Sequence, residues 1–213
     1  MVGLVLVAAA TGSQAITVLS EGFDNVSDLP AAGWAQVNDS SAPVGTSWFQ
    51  GNSGIFAASS GASNSYIAAN FLSTGSAAGA VSNWLMTPVV ALDSSAMLSF
   101  LVQTAGNGFL DRIEVRLSTS GASTSVADFS TMLGSFQAST LTGWVGLSYG
   151  MGVVDTPTSG RIAFRYGVDN VSTAGNYLGL DSVVITSAIP EPATYLLMGL
   201  GVAGLMLRRR FSA

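Results

Sequence analysis

The 213-residue sequence contains no cysteine, no histidine and no lysine. Without these residues the chain cannot build a Ser-His-Asp or Cys-His catalytic centre, a lysine Schiff base or a zinc site of the usual type. The lack of cysteine also excludes disulfides, so stability must come from burial and from hydrogen-bonded strands. These absences indicate a protein that is not an enzyme.

Charged residues are also scarce, at 9% of the chain, and most of them are acidic. Between residues 16 and 188, eleven acids against four arginines give a formal charge of −7. A surface of this sign repels phosphate backbones, which excludes nucleic acid as a partner bound by electrostatics.

The C-terminus is built from three parts in a fixed order. They are a Pro-Glu-Pro tripeptide, an apolar run and an arginine triplet: Pro190, Glu191, Pro192, residues 193–207, Arg208, Arg209 and Arg210. The run, residues 193–207, has fifteen residues and would reach roughly 22 Å as a helix. A permanent membrane span needs about 20 residues, so this run is short for one. We expect a short transmembrane helix that spans transiently, with the arginines on the cytoplasmic side. A buried terminal helix is the less favoured alternative, because such helices rarely end in an arginine triplet.

These parts, at the extreme C-terminus, resemble the PEP-CTERM sorting signal. The resemblance implies that residues 189–213 are held in the inner membrane of a Gram-negative-type bacterium and cut by exosortase, a membrane peptidase. The prolines beside Glu191 fix an extended backbone, which is the shape that a peptidase cleft binds. The mature protein would then reach the cell surface or the extracellular matrix.

The N-terminus also indicates export. Residues 2–10 form an apolar run, and Ser13, Gln14 and Ala15 offer small residues where a signal peptidase cleaves. We predict a signal peptide over residues 1–15, with cleavage after Ala15. No basic residue precedes the apolar run, so we expect the true start to lie upstream. A hydrophobic first strand is the alternative.

Residues 16–188 have the size of one domain, and their pattern is all-β. Short apolar segments alternate with stretches rich in glycine, serine, alanine and threonine, as in strands joined by loops. The predicted strands are 17–23, 66–71, 84–86, 97–103, 112–117, 132–137, 144–148, 161–166 and 177–185. This number of strands predicts two packed sheets.

A second resemblance covers most of this body. Its motifs, in order, are Glu21-Gly22-Phe23, Gly33-Trp34, Trp48, 83–88 (Asn-Trp-Leu-Met-Thr-Pro), 98–100 (Leu-Ser-Phe), 111–115 (Asp-Arg-Ile-Glu-Val) and 180–183 (Leu-Asp-Ser-Val). The series resembles the choice-of-anchor J family, which is related to cleaved-adhesin domains. The resemblance implies a jelly-roll β-sandwich similar to carbohydrate-binding modules.

The same resemblance implies a structural Ca²⁺ held by an acid on the first strand, a loop acid after the first tryptophan and an acid on the last strand. Glu21, Asp39 and Asp181 stand in those places. Asp181 lies in an apolar strand, where an unpaired carboxylate is costly. The alternative, that Asp181 pairs with an arginine or accepts backbone N–H bonds, stays open.

Trp144 and Tyr149 lie near a glycine-rich loop and are the candidates for a sugar-stacking platform. Core packing is the default role of the other tryptophans, Trp34, Trp48 and Trp84. Arg112, Glu114 and Arg116 share one side of a strand, and we interpret this row as a solubilising charge ladder in preference to a ligand site.

The sequence thus favours an exported, non-catalytic surface or matrix protein that binds polysaccharide or acts as an adhesin. One alternative is a structural matrix protein that associates with itself without a sugar ligand. Another is a glycoside hydrolase that uses paired carboxylates such as Asp111 and Glu114. Strand positions on opposite faces would separate that pair, so the hydrolase is the least favoured.

Overall fold

Short apolar segments separated by glycine and serine fold as twelve β-strands in the computed structural model, which describes residues 14–45, 47–106, 108–138 and 143–189. The strands are β1 Gln14–Glu21, β2 Ala35–Asn38, β3 Phe49–Gln50, β4 Ile67–Asn70, β5 Val81–Met86, β6 Val90–Leu92, β7 Met97–Thr104, β8 Asp111–Ser118, β9 Thr131–Ala138, β10 Val145–Gly150, β11 Thr158–Val168 and β12 Tyr177–Ile189. Three single-turn 3₁₀ helices, Val26–Asp28, Phe71–Ser73 and Val126–Asp128, lie in the connections.

The strands form two six-stranded antiparallel sheets. Sheet 1 has the order β10-β7-β12-β4-β3, with β1 paired to β12, and sheet 2 has the order β2-β5-β11-β8-β9, with β6 paired to β11. From β4 onwards the chain crosses repeatedly between the sheets, staying in sheet 2 only from β5 to β6 and from β8 to β9, so that β4-β12-β7-β10 faces β5-β11-β8-β9. This winding is jelly-roll-like. The two-sheet β-sandwich predicted from the sequence is confirmed.

The core lies between the sheets and follows from the two-residue period of the strands. In β7 the buried residues Leu98, Phe100 and Val102 alternate with more exposed neighbours. Phe100 meets Phe164 of the opposite sheet in an edge-to-face contact with ring centroids 5.1 Å apart. Such aromatic pairs add about 0.5–1.5 kcal/mol beyond the apolar area that they bury.

All nine segments predicted as strands contain strand residues, while β2, β3 and β6 were not predicted. These three strands have two to four residues each, which is too short for a periodic pattern to show. The structure separates the body Thr17–Ser187 from a second unit, Met1–Ile16 with Ala188–Ala213. Most of that second unit, including the predicted tail helix and residues 1–13 of the predicted signal peptide, falls outside the described residues, whereas Gln14 and Ala15 of the predicted peptide lie in β1. Within the described ranges, no helix is long and apolar enough to cross a membrane.

Candidate functional site

A β-bulge in the last strand positions the carboxylate of Asp181. Asp181 lies opposite Leu101 of β7, whereas Val184 lies opposite Ser99, so β12 contains one extra residue between these pairs. Ser182 adopts φ 52° at this point, a left-handed conformation that costs energy for a residue with a side chain. Bulges redirect side chains, and they often occur beside functional sites.

The redirected carboxylate lines an open cleft of about 320 Å³. Residues from β1, β12 and the loop that follows β3 form its walls: Ser20, Glu21, Gly22, Asp24, Ser60, Gly61, Asp181, Ser182 and Val184. Phe23, between two of these wall residues, has φ 57° and donates its backbone N–H to Glu21 at 2.7 Å. Two of the non-glycine residues with left-handed backbone therefore adjoin the cleft.

Burial dominates the electrostatics of Asp181, whose relative exposure is 1%. Burial raises the pKa of this carboxyl group above its usual value, and hydrogen bonds from Ser59, Ser182 and Ser60 only partly oppose the shift. The backbone N–H of Ser59 donates to Oδ2 at 2.9 Å, and the Ser182 hydroxyl lies 3.2 Å from Oδ1. A positive charge in the cleft would favour the ionised form of Asp181.

The structure brings together two of the three residues predicted to bind calcium. Glu21 and Asp181 line the cleft, whereas Asp39 is exposed after β2 and its backbone N–H donates to Ser82 O of sheet 2. Asp24 lines the cleft and was not predicted, although its position three residues after Glu21 could have suggested it. No group of three histidine, cysteine, aspartate or glutamate side chains in the described ranges is arranged to hold a metal ion.

The loop between β3 and β4, residues 51–66, folds over the outer face of sheet 1 and is called the covering loop below. Phe56 stacks on Tyr66 with centroids 5.1 Å apart, and Trp144 meets both rings edge-on at 5.5 Å. Gly179 of β12 makes room for them, because a Cβ there would lie 2.8 Å from Phe56 Cε2 and 2.9 Å from Tyr66 Cδ2.

Hydrogen bonds hold the covering loop in place. The Tyr66 hydroxyl lies 2.9 Å from Asn52 N and 3.1 Å from the Tyr177 hydroxyl. The Trp144 indole N–H donates to Ala57 O at 3.0 Å. These bonds, together with the bond from Ser59 to Asp181, fix the loop that forms one wall of the cleft.

The structure does not bring the two predicted sugar-stacking residues together. Trp144 packs on the covering loop, outside sheet 1, whereas Tyr149 lies against Phe100 of the core, with ring centroids 6.1 Å apart. Tyr149 also lies across Gly134 of β9, where a Cβ would come within 2.0 Å of its ring. Both aromatic side chains are thus engaged in packing, on opposite faces of one sheet.

The two carboxylates considered for hydrolysis are also separated. Asp111 is buried and accepts hydrogen bonds from the Tyr166 hydroxyl at 2.7 Å and from Asn176 N at 2.9 Å. Burial raises the pKa of Asp111. Glu114 lies on the other face of β8, outside sheet 2, because the two positions differ by three residues. They cannot act on one glycosidic bond.

Glu114 instead joins an arginine cluster on the outer face of sheet 2. Its carboxylate lies 3.4 Å from Arg112 Nε, 2.8 Å from Arg116 Nε and 3.2 Å from Arg165 Nη1. Arg165 also lies over the Trp84 ring at 5.6 Å. Burial alone would raise the pKa of Glu114, but the arginines outweigh burial and lower it. The row expected from the sequence is therefore present, and Glu114 is 7% exposed.

One arginine of the body is buried apart from this cluster. Arg161 of β11 is only 9% exposed, and its Nη1 donates to Gly33 O and Thr87 O. It links two backbone segments and takes no part in the cluster around Glu114.

Comparison with known proteins supports the sorting motif expected in the tail and the fold expected for the body. Residues 188–210 match the PEP-CTERM protein-sorting motif. The structure is similar to the K1 and K3 cleaved adhesin domains of Lys-gingipain from Porphyromonas gingivalis W83. The K3 domain has 21% identity and a TM-score of 0.57, with 82% of this chain and 99% of that domain covered. The K1 domain has 23% identity and a TM-score of 0.57, with 79% and 97% covered.

The K2 cleaved adhesin domain of Lys-gingipain is similar as well, with 17% identity, a TM-score of 0.53, and 81% of this chain and 99% of that domain covered. At these identities the likeness shows the fold alone. No curated protein gives a significant sequence match. The chain therefore carries a PEP-CTERM sorting motif at its C-terminus, next to a body with the fold of cleaved adhesin domains.

Proposed function

We propose that this chain is an exported, non-catalytic protein of the cell surface or extracellular matrix that binds or adheres to polysaccharide. The observation that carries the proposal is the PEP-CTERM motif placed directly after a β-sandwich with the cleaved-adhesin fold. Proteins with an adhesin-like body and a sorting tail are suited to contact with material outside the cell. Fold alone does not assign a ligand, so the polysaccharide is the part of the proposal that needs a binding experiment.

The proposed route begins with a signal peptide over residues 1–15 and ends with exosortase removing the tail. The tail would hold the protein transiently in the inner membrane before release. Intact-mass measurement of the exported protein tests both cleavages. A mass that includes residues 193–210 would contradict removal of the tail.

The proposal of a non-catalytic protein is supported by the positions of the candidate acids. Asp111 is enclosed in the core, and Glu114 is neutralised by arginines outside sheet 2. A hydrolase needs two carboxylates on the two sides of one bond, and this pair does not provide them.

Binding to insoluble polysaccharide tests the function directly. We expect the purified protein to be retained in a saturable manner by at least one polysaccharide from a panel of neutral and acidic chains, without release of reducing sugar. A dissociation constant in the micromolar to millimolar range, about −8 to −4 kcal/mol, would suit a single surface domain. Retention by none of the chains would contradict the proposal, and turnover would contradict its non-catalytic part.

A second candidate function, self-association as a matrix protein, is favoured by the edge strands. β9 and β10 end their sheets on the same side of the sandwich and contain neither charged residues nor proline. Natural proteins usually protect such edges with charges or proline. Sedimentation velocity without sugar separates the candidates, because concentration-dependent assembly in its absence favours the matrix role.

Calcium binding remains a proposal for the cleft around Asp181. If Glu21 and Asp181 bind Ca²⁺ with backbone carbonyl oxygens completing its shell, millimolar Ca²⁺ should raise the Tm by several degrees relative to EGTA, since a ligand at about 100 times its Kd stabilises by about 2.7 kcal/mol. Asp181→Ala should abolish the shift, and Asp39→Ala, outside the cleft, should leave it intact. An unchanged Tm in the wild-type protein would contradict the calcium proposal.

A further inference from the structure

The cationic side chains of the body are concentrated on one surface. Its four arginines lie on β8 and β11, and the sequence offers no lysine or histidine to add positive charge elsewhere. Arg112, Arg116 and Arg165 project from the outer face of sheet 2, each with a side chain that is 23–24% exposed. With Glu114 and Asp169 as their ion-pair partners, three positive charges face two negative ones. The surface therefore has a local positive excess on an acidic body.

Arg112 already holds a carboxylate that lies in solvent. Its Nη2 and Nη1 donate to the two oxygens of Asp169 at 2.8 and 3.2 Å, and the Asp169 side chain is 83% exposed. This two-bond geometry is the one by which guanidinium groups recognise carboxylates. Because an exposed ion pair stabilises the fold by only about 0–1 kcal/mol, an external carboxylate can replace that of Asp169 at little cost to the fold.

The neighbouring strand is shaped to hold this guanidinium group. Gly167 of β11 lies opposite Arg112 in the β-ladder, and a Cβ at that position would approach Arg112 Nη2 to 3.1 Å. The glycine lets the side chain lie across the strand. On its other side, Arg112 Nε is 3.4 Å from Glu114. The group is thus oriented before any ligand arrives, which reduces the entropy lost on binding.

The spacing of the arginines suits a polymer. Arg112 and Arg116 lie four residues apart on one face of β8, about 13 Å along the strand, and Arg165 lies between them, opposite Glu114 in the ladder. A chain with repeated carboxylates laid along β8 can reach more than one guanidinium group, and each further contact becomes intramolecular once the first has formed.

We propose that the outer face of sheet 2 around Arg112, Arg116 and Arg165 binds polysaccharides whose sugars carry carboxylates, and that the ligand displaces Asp169 from Arg112. This inference rests on the proposed polysaccharide-binding function and names its ligand class. The acidic body repels such a polymer at a distance, but screening over about 8 Å at physiological ionic strength leaves the short contact to the arginines effective. The interaction is therefore local and sensitive to salt.

The test uses polygalacturonate and its highly methyl-esterified form, which share a backbone and differ in carboxylate charge. We expect the full chain to bind polygalacturonate at least about tenfold more tightly than the ester, and Arg112→Gln to remove most of that difference. Asp169→Asn should strengthen binding by roughly threefold or more, because it removes the competing carboxylate. Asp155→Asn, which changes the net charge equally at an exposed loop position, should have no such effect.

The outcomes separate the inference from the function on which it rests. Equal binding of both polymers, or equal effects of Asp169→Asn and Asp155→Asn, would overturn the arginine site while leaving polysaccharide binding intact. Binding to no polysaccharide of any charge would overturn the proposed function and this inference together. If Arg112→Gln fails to fold, the two asparagine variants still decide the question, because neither residue lies in the core.

Discussion

Replacement of Glu114 by glutamine is expected to lower the free energy of unfolding by about 2–3 kcal/mol. The carboxylate is 7% exposed and is the common partner of three arginines. Glutamine keeps the shape but removes the shared negative charge, so that Arg116 and Arg165 lose their carboxylate partner while Arg112 keeps Asp169. Breaking a buried ion pair costs about 3–5 kcal/mol, and we take a lower figure because these arginines are partly in water.

Urea unfolding of the wild type and of the variant measures this difference. Asp169→Asn is the matched control, because it also removes one carboxylate from Arg112, at an exposed position, and it should change stability by less than about 0.5 kcal/mol. A loss below that value for Glu114→Gln would mean that solvent and the other hydrogen-bond partners of the arginines replace the carboxylate at little cost.

The pH dependence of stability should also show the contribution of the ion pairs between Glu114 and the arginines. The arginines lower the pKa of Glu114 in the folded protein below its value in the unfolded chain. Its contribution is therefore complete above the unfolded pKa of about 4.3 and is lost as the pH falls through the folded pKa. Stability of the wild type should fall more steeply below pH 4 than that of Glu114→Gln.

The sequence predicted the sandwich well because two of its strands carry a clear pattern of their own. β8 and β11 alternate apolar and charged residues, and this alternation places one face in the core whatever the partner strands are. The pairing of β12 with β7 and β4 at the centre of sheet 1 could not be predicted, because it depends on contacts between residues far apart in the chain.

The candidate site was predicted only in part, for a related reason. Asp181 was noticed as a carboxylate in an apolar strand, but the bulge at Ser182 that directs it into a cleft has no simple sequence signal. The position of Trp144 near a glycine-rich loop predicts a surface aromatic residue. Its packing against Phe56 depends on a covering loop whose conformation the local sequence does not specify.

The covering loop leads to the prediction with the largest expected effect. Tyr66→Ala should lower the free energy of unfolding by about 4 kcal/mol, within the range for removing a buried aromatic ring. The ring is fully buried, and it packs against Phe56 and Trp144. Its loss leaves a cavity on sheet 1 and removes the hydroxyl that bonds Asn52 N.

Two measurements distinguish the stabilising contribution of the Tyr66 ring from that of its hydroxyl group, and show whether the covering loop holds the wall of the cleft in place. Tyr66→Phe keeps the ring and should cost only about 1–2 kcal/mol, the usual cost of a buried polar group left without its partner. In Tyr66→Ala, the Ser59 amide, which donates to Asp181 at 2.9 Å, should exchange its hydrogen much faster, because the loop that carries it is no longer fixed. An unchanged exchange rate together with a small loss of stability would show that the bond to Asp181 holds this wall of the cleft without the aromatic cluster.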